Sequence, residues 1–207
     1  KVTSYSMDAD AEQYNIVRTH MLFDTNDEKK VFSVIDLAQG ISKNIIPRLT
    51  LSLARVGYKS LIVDADFRDG FTAKREKAGS EGAESLGLKE LIVGTIPVAK
   101  YKALLNKSET SPYIFFLQAG GFAESPADLI ANKVFKTLLE NFRADFDYVF
   151  VLTPYSEKTA DSLIVAKDVN NILFLIDPYK LSKLDFLKVF NKHKKFNKDK
   201  SGVVFYE

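Results

Sequence analysis

The chain has 207 residues, 46% of them hydrophobic, with 29 Lys and Arg against 27 Asp and Glu and a formal net charge of +2. That length and apolar content suffice for one sizeable core of a single α/β domain, and the near balance of charge argues against general nucleic-acid binding, so no nucleic-acid partner is expected. The absence of cysteine removes disulfides and thiolate metal sites and fits a reducing compartment.

No apolar run approaches the roughly 20 residues needed to span a bilayer, and no signal-peptide pattern is read. The first residue is Lys1 rather than methionine. The expectation is one domain over 1–207, the soluble cytoplasmic part of a longer, membrane-anchored chain.

Taken in order, the spacing of Tyr14, Val17, Met21 and Leu22 predicts a helix over 8–24 with acids near its start. KKVFSVIDLA, rich in β-branched residues, reads as a buried strand. NIIPRLTLSLARVG reads as a helix that places Pro47 near its first turn and uses Gly57 as terminator. KSLIVDADFRDG is a second buried strand ending in acids. Residues 70–85 are polar, charged and glycine-containing, and read as a mobile loop. SLGLKELIVG predicts a short helix and PYIFFLQAGG a third strand. SPADLIANKVFKTLLENFRADF reads as one helix, capped by Ser125 with Pro126 at its first position. DYVFVLTP, TADSLIVAKDV and NILFLIDP follow as strand, helix and strand. KLSKLDFLKVFNKHKKFNK is an amphipathic helix whose lysines read as a solvated face, with attraction to an acidic membrane surface or partner as the alternative. GVVFYE is a last strand. Apolar strands without alternation are buried on both faces, and their alternation with helices implies a mostly parallel sheet covered on both sides.

In such a sheet ligands bind at the carboxyl ends of the strands. There stand Asp36 through Asn44 after the first strand, Asp64, Asp66 and Arg68 after the second, Gly120 and Gly121 after the third, and Thr153 and Pro154 after the fourth. A phosphate-binding loop needs glycines that turn successive N–H groups inward, a lysine for phosphate charge and a Ser/Thr hydroxyl for magnesium. Gly40 and Lys43 fit that need, whereas Ser42 stands at a glycine position and Asn44 at the hydroxyl position. Taken alone, G-x-x-K recurs often in any sequence, and a plain turn before a helix is the simpler reading. Lys43, Asp64 and Asp66 can bind a nucleotide weakly or simply pair with one another. His20 and His193 lie far apart in sequence and receive no catalytic role, and no transition-metal site is expected.

The stretch LIVDADFR resembles the second acidic motif of one branch of P-loop proteins, the MinD/ParA-like ATPases. EQYNIVRTHMLFD then resembles the opening of the bacterial tyrosine kinases of capsule and exopolysaccharide synthesis, the CpsD/CapB type. LTLSLARVGYKSLIVDADFRDG, GLKELIVG, LQAGGFAESPADLIANKVFKTLLENFRADFDYVFVLTP, TADSLIVAKDVNNILFLI and GVVF are similar to successive motifs of that family, in the same order, over nearly the whole chain. The resemblance implies a P-loop NTPase-like, three-layer α/β/α fold with a mostly parallel sheet.

It also implies a nucleotide site, vestigial here, at Gly40, Ser42, Lys43, Asn44, Asp64, Asp66, Arg68 and Asp161. If the chain were active, Lys43, Asp64 and Asp66 would be catalytic, and any magnesium would sit at Asn44 and Asp64. Departures from the family pattern fall on this chemistry. Ser42 replaces a glycine, Asn44 a magnesium-ligating hydroxyl, and Leu152 the aspartate that ends the fourth strand; Asp36 occupies a position usually Ser or Thr. No cofactor is expected beyond weakly bound ATP or ADP with magnesium. In the opening helix the family's subunit-contact motif reads Glu12, Asn15, Arg18. Glu12 and Arg18 are the candidate oligomer contacts, and the loss of an arginine at Asn15 puts a ring in doubt. Tail tyrosines are the family's phosphorylation targets. Tyr206 is the one the tail offers, with Tyr179 read as a loop residue.

The expected role is a degenerate tyrosine-kinase domain that scaffolds or regulates polysaccharide polymerisation and export at the cytoplasmic face of the bacterial membrane. Its partner would be a polysaccharide co-polymerase membrane segment or an adaptor, with a homo-oligomer possible in principle. The alternatives are an active tyrosine autokinase using an altered loop, and a MinD/ParA-like positioning ATPase. The opening helix argues against the latter, because simpler members begin at the first strand.

Overall fold

Seven apolar or edge segments assemble into one sheet because each central run is buried along its whole length and cannot leave its backbone groups unpaired. The computed structural model describes residues 9–23, 30–37, 40–67, 86–154, 160–169, 171–195 and 200–205. The strands are β1 (Lys30–Asp36), β2 (Ser60–Asp64), β3 (Asn106–Lys107), β4 (Ile114–Leu117), β5 (Tyr148–Thr153), β6 (Asn171–Ile176) and β7 (Lys200–Phe205). The helices are α1 (Ala9–Phe23), α2 (Ser42–Arg55), α3 (Leu88–Ile92), α4 (Pro126–Ile130), α5 (Lys133–Asp145), α6 (Asp161–Asp168) and α7 (Lys183–Lys194).

The sheet order is β3-β4-β2-β5-β1-β6-β7. Every pairing is parallel except β3 with β4. Alternation along the strands separates two faces. Phe32, Val34, Ile62, Tyr148, Phe150, Leu152, Leu173 and Leu175 pack with α1 and α2. Val31, Leu61, Val63, Val149 and Val151 pack with α3, α4 and α5, and Ile35, Ile172, Phe174 and Ile176 with α6 and α7 on that same opposite face. The three-layer, mostly parallel architecture is therefore observed. Helix α2, after β1, covers one face, and α6, after the adjacent β5, covers the other, so the two chain connections diverge at the β1/β5 boundary. In open α/β sheets this divergence opens the ligand crevice.

Helix α1 buries Met21 and half-buries Tyr14, Val17 and Leu22, the stripe its spacing predicts. Gly57 ends α2 as expected. It adopts φ +90°, its N–H donates to Ala54 O, and the Tyr58 N–H donates to Leu53 O, the two bonds of a Schellman motif.

Three elements differ from the expectation. Helix α2 starts at Ser42, not Asn44, so Pro47 is its sixth residue and lies past the first turn. The stretch read as one helix from Ser125 is two, α4 and α5. Pro126 does open α4, but the Ser125 side chain makes no cap bond, while the Asn132 carbonyl oxygen accepts from the Val134 N–H and starts α5. Between α3 and β4 the chain forms a 3-10 helix, Val98–Leu104, and the short β3, neither of which the sequence reading placed. The 70–85 loop falls outside the described residues, as do Asp8 and Asp24 at the ends of the first helix.

Candidate functional site

The carboxyl ends of β1, β5 and β2 lie side by side, and strand register decides which side chains meet there. Leu152 of β5 is opposite Val34 on one side and Asp64 on the other. Asp36, two residues beyond Val34, Leu152 and Asp64 all alternate onto the α2 face. Leu152 is 5% exposed and packs in the same apolar cluster as Ile41 and Ile45 at the head of α2. It offers no ligand atom at the point where the strand pattern of the resembled family has a carboxylate.

The β1–α2 junction takes its form from Asp36. This carboxylate is 8% exposed, and its Oδ2 accepts from the Gly40 N–H at 2.9 Å and the Ser42 N–H at 2.8 Å. Gly40 sits at φ +107°, a conformation that glycine adopts without the Cβ penalty. Helix α2 needs this help from upstream. Its N-cap is Ile41, which has no side-chain acceptor to offer, and the first turn holds no acid. A carboxylate at the positive end of the helix is favourable in sign as well.

The other expected site residues are distributed around this junction. Lys43 and Asn44 are exposed in the first turn of α2, and Ser42 is half-buried. Asp64 is 2% exposed, and its Oδ1 accepts from the Asp66 N–H at 3.0 Å. Among the described residues Lys43 makes no ion pair with Asp64 or Asp66. Asp161 is the fully buried first residue of α6. Arg68 lies outside the described residues, as does Tyr206; Tyr179 is 83% exposed in the loop after β6. Among the described residues no group of three or more His, Asp or Glu is placed to hold a metal ion, and no helix is long and apolar enough to cross a membrane.

The residues expected at an oligomer contact are engaged within the chain. Arg18 Nη1 donates to the Ser52 carbonyl at 2.9 Å and to Ser52 Oγ at 3.1 Å, tying α1 to α2. Ser52 Oγ donates to Asn15 Oδ1 at 2.8 Å, and Asn15 Nδ2 donates to Glu12 Oε2 at 3.2 Å.

Two polar constructions at or near the sheet escape sequence reasoning. Glu90, buried in α3, accepts from the Gly87 N–H at 2.7 Å and from the Gly121 N–H at 3.3 Å, joining the head of α3 to the loop after β4. The signal that would find it is the acid at the third position of a helix, reaching back to its N-cap. His193 is also buried. Its Nδ1–H donates to the Val189 carbonyl at 2.8 Å, which leaves Nε2 to accept from the Ser162 hydroxyl at 3.0 Å. Burial holds its pKa below the ordinary histidine value.

No protein-family model matches the chain. It is 28% identical over 199 residues to the tyrosine-protein kinase CpsD of Streptococcus pneumoniae, covering 94% of this chain and 82% of that protein. Its fold is similar to the kinase domain of the Escherichia coli tyrosine kinase ETK, with a TM-score of 0.82 at 17% identity over 96% of this chain and 76% of that one. The cell-division ATPase MinD of Pyrococcus furiosus has a similar fold at a TM-score of 0.64 and 14% identity, over 86% of this chain and 70% of that one.

Proposed function

The chain is a homologue of the bacterial tyrosine kinases of capsule and exopolysaccharide synthesis, with their P-loop-type fold, and from that kinship we propose that it serves the same process without phosphotransfer. In this reading it is a scaffold or regulator of polymerisation and export. It acts through protein contacts at the cytoplasmic face of the membrane, where a co-polymerase segment or an adaptor is the partner class.

The observation that carries the reading is Leu152. Phosphoryl transfer is catalysed by positioning and charge neutralisation, with magnesium as the main neutraliser. The end of β5 beside Asp64 is filled by a buried aliphatic side chain that packs into the core. Asn44, exposed in the first turn of α2, supplies an amide where a magnesium ligand of hydroxyl type is needed. The residues present do not fit a hydrated divalent ion held against a triphosphate. Loss of one comparable electrostatic group costs roughly 10²–10³ in rate, and the loss of two leaves little acceleration even though such losses are not additive.

Titration calorimetry of the full-length chain with Mg-ATP and Mg-ADP, with a phosphotransfer assay, tests this. Neither micromolar magnesium-dependent binding nor transfer to tyrosine is expected, and finding both would overturn the reading. The second reading, an active autokinase with an altered loop, draws on the exposed Lys43 at the head of α2 and on Asp64 and Asp66 at the neighbouring strand end. Lys43→Met separates the two. It abolishes activity in an autokinase and changes nothing in a scaffold.

A further inference from the structure

We propose that Asp36 is a built-in occupant of the anion cradle at the β1–α2 junction, an autoinhibitory contact that excludes phosphate from it. The inference deepens the scaffold reading and rests on it. It explains how a junction with the outline of a phosphate loop persists with no phosphate to hold it.

Three observations converge on one carboxylate. First, a single oxygen, Asp36 Oδ2, accepts from both the Gly40 and Ser42 N–H groups, at 2.9 and 2.8 Å. These two donors flank Ile41 and point at a common centre, which is how backbone N–H groups surround an anionic oxygen. Second, the carboxylate reaches that centre from the buried end of β1, on the α2 face, so it comes from beneath the loop and is itself 92% removed from solvent by the 8% exposure it retains. Third, a Cβ built on Gly40 would meet nothing within 4 Å among the described residues, so these residues do not close over Gly40.

The chemistry makes occupancy exclusive. A carboxylate oxygen and a phosphate oxygen are both acceptors of negative charge, and the two N–H groups serve one such oxygen at a time. A second anion would meet both spent donors and like-charge repulsion. A serine in place of Asp36 has a shorter side chain and no net charge, and leaves the donors free. An asparagine has the same length and keeps Oδ1 as an acceptor, so it holds the donors without the charge.

The test compares the full-length wild type with Asp36→Asn and Asp36→Ser by amide hydrogen exchange and by thermal shift, using inorganic pyrophosphate and magnesium-free ADP as probes. In the wild type and Asp36→Asn the Gly40 and Ser42 amides are protected without ligand, and neither probe raises Tm. In Asp36→Ser those amides exchange at least tenfold faster, and pyrophosphate restores protection and raises Tm. Unprotected Gly40 and Ser42 amides in the ligand-free wild type overturn the contact by themselves, whether or not Asp36→Ser folds. Wild-type binding of pyrophosphate overturns it too, as does a folded Asp36→Ser that binds no better than wild type. If neither protein binds, the Asp36 proposal fails and the scaffold reading stands. If Asp36→Ser gains both binding and transfer to tyrosine, the Asp36 proposal holds and the role given to Leu152 fails.

Discussion

Two loops at the carboxyl edge of the sheet are each organised by one buried carboxylate that accepts from backbone N–H groups, and they are built to different tolerances. Around Glu90 the packing is closed. A Cβ on Gly87 would lie 2.3 Å from the Gln118 carbonyl oxygen, and a Cβ on Gly120 would lie 2.1 Å from Glu90 Oε2. In the Asp36 loop, a Cβ on Gly40 would meet nothing within 4 Å among the described residues. The first loop uses its carboxylate as an internal fastener between α3 and the strand end. The second keeps the outline of a ligand cradle while its own carboxylate takes the donors. The same local chemistry therefore fastens structure in one place and, under the proposal made for Asp36, stands in for a bound anion in the other, and the space beside the glycine tells them apart.

Glycine substitution is the strongest way to break that comparison. Gly120→Ala must adopt φ +90° and also displace the Glu90 carboxyl. Backbone strain of about 1–2 kcal/mol adds to an overpacking cost of about 1–3 kcal/mol. A loss of roughly 4 kcal/mol in urea unfolding is expected from their sum. Gly40→Ala has positive φ but an open neighbourhood, so it should lose only about 1–2 kcal/mol. Equal losses at the two glycines would erase the distinction.

Removing the fastener itself ranks next. Glu90→Ala leaves the Gly87 and Gly121 N–H groups without their acceptor. Each unsatisfied buried group costs about 1–3 kcal/mol, and water reaching one of them would bring the total to about 3 kcal/mol. Glu90→Gln keeps one amide oxygen and should recover part of that loss. A Glu90→Ala protein as stable as wild type would show that the loop after β4 is held by apolar packing alone.

How far the sequence reveals these loops depends on how local the determining interaction is. The buried runs of β1, β2, β5 and β6 are legible because burial on both faces demands unbroken apolar residues. Gly57 is legible because a Schellman end needs positive φ at one residue. The break at Asn132 is not, because apolar periodicity continues from α4 into α5 while the cap bond to Val134 spans only two residues. The start of α2 is hidden for the opposite reason. Its capping acceptor, Asp36, lies six residues upstream of Ser42, outside any local N-cap pattern. The same distance hides what Asp36 does. In the sequence it reads as an acid at a position that the resembled family usually fills with Ser or Thr, and only the folded geometry shows it accepting from the loop. Leu152 is conspicuous against the resembled family's pattern, but its place between Val34 and Asp64 is a matter of register. Glu90 passes for a surface acid of a short helix until the loop after β4 closes over it.

The gentlest perturbation acts away from the two carboxylate loops, at His193. This histidine lies away from both loops, between α6 and α7, with its Nε2 on the Ser162 hydroxyl and its ring edge-on to Phe174. Desolvation by burial is the main cause that lowers its pKa below the reference of 6.5; the nearby Lys192 charge works in the same direction, and the bond to the Val189 carbonyl opposes them. A lowered folded pKa means that the unfolded chain takes up the proton first. The contribution of the neutral His193 is therefore complete above pH 6.5 and is lost as pH falls from there toward the folded value. One proton limits the slope to about 1.4 kcal/mol per pH unit. Carboxylates stabilised in the fold act later. Asp145, lowered first by its bond from Lys102 and then by Tyr101, gives up its contribution only as pH falls through and below 3.8. Urea unfolding at pH 7 and pH 5 should thus show a stability loss in the wild type that His193→Gln largely removes, because the amide can meet the Ser162 hydroxyl without titrating. An equal loss in both proteins would assign the pH 5–7 window to groups other than His193.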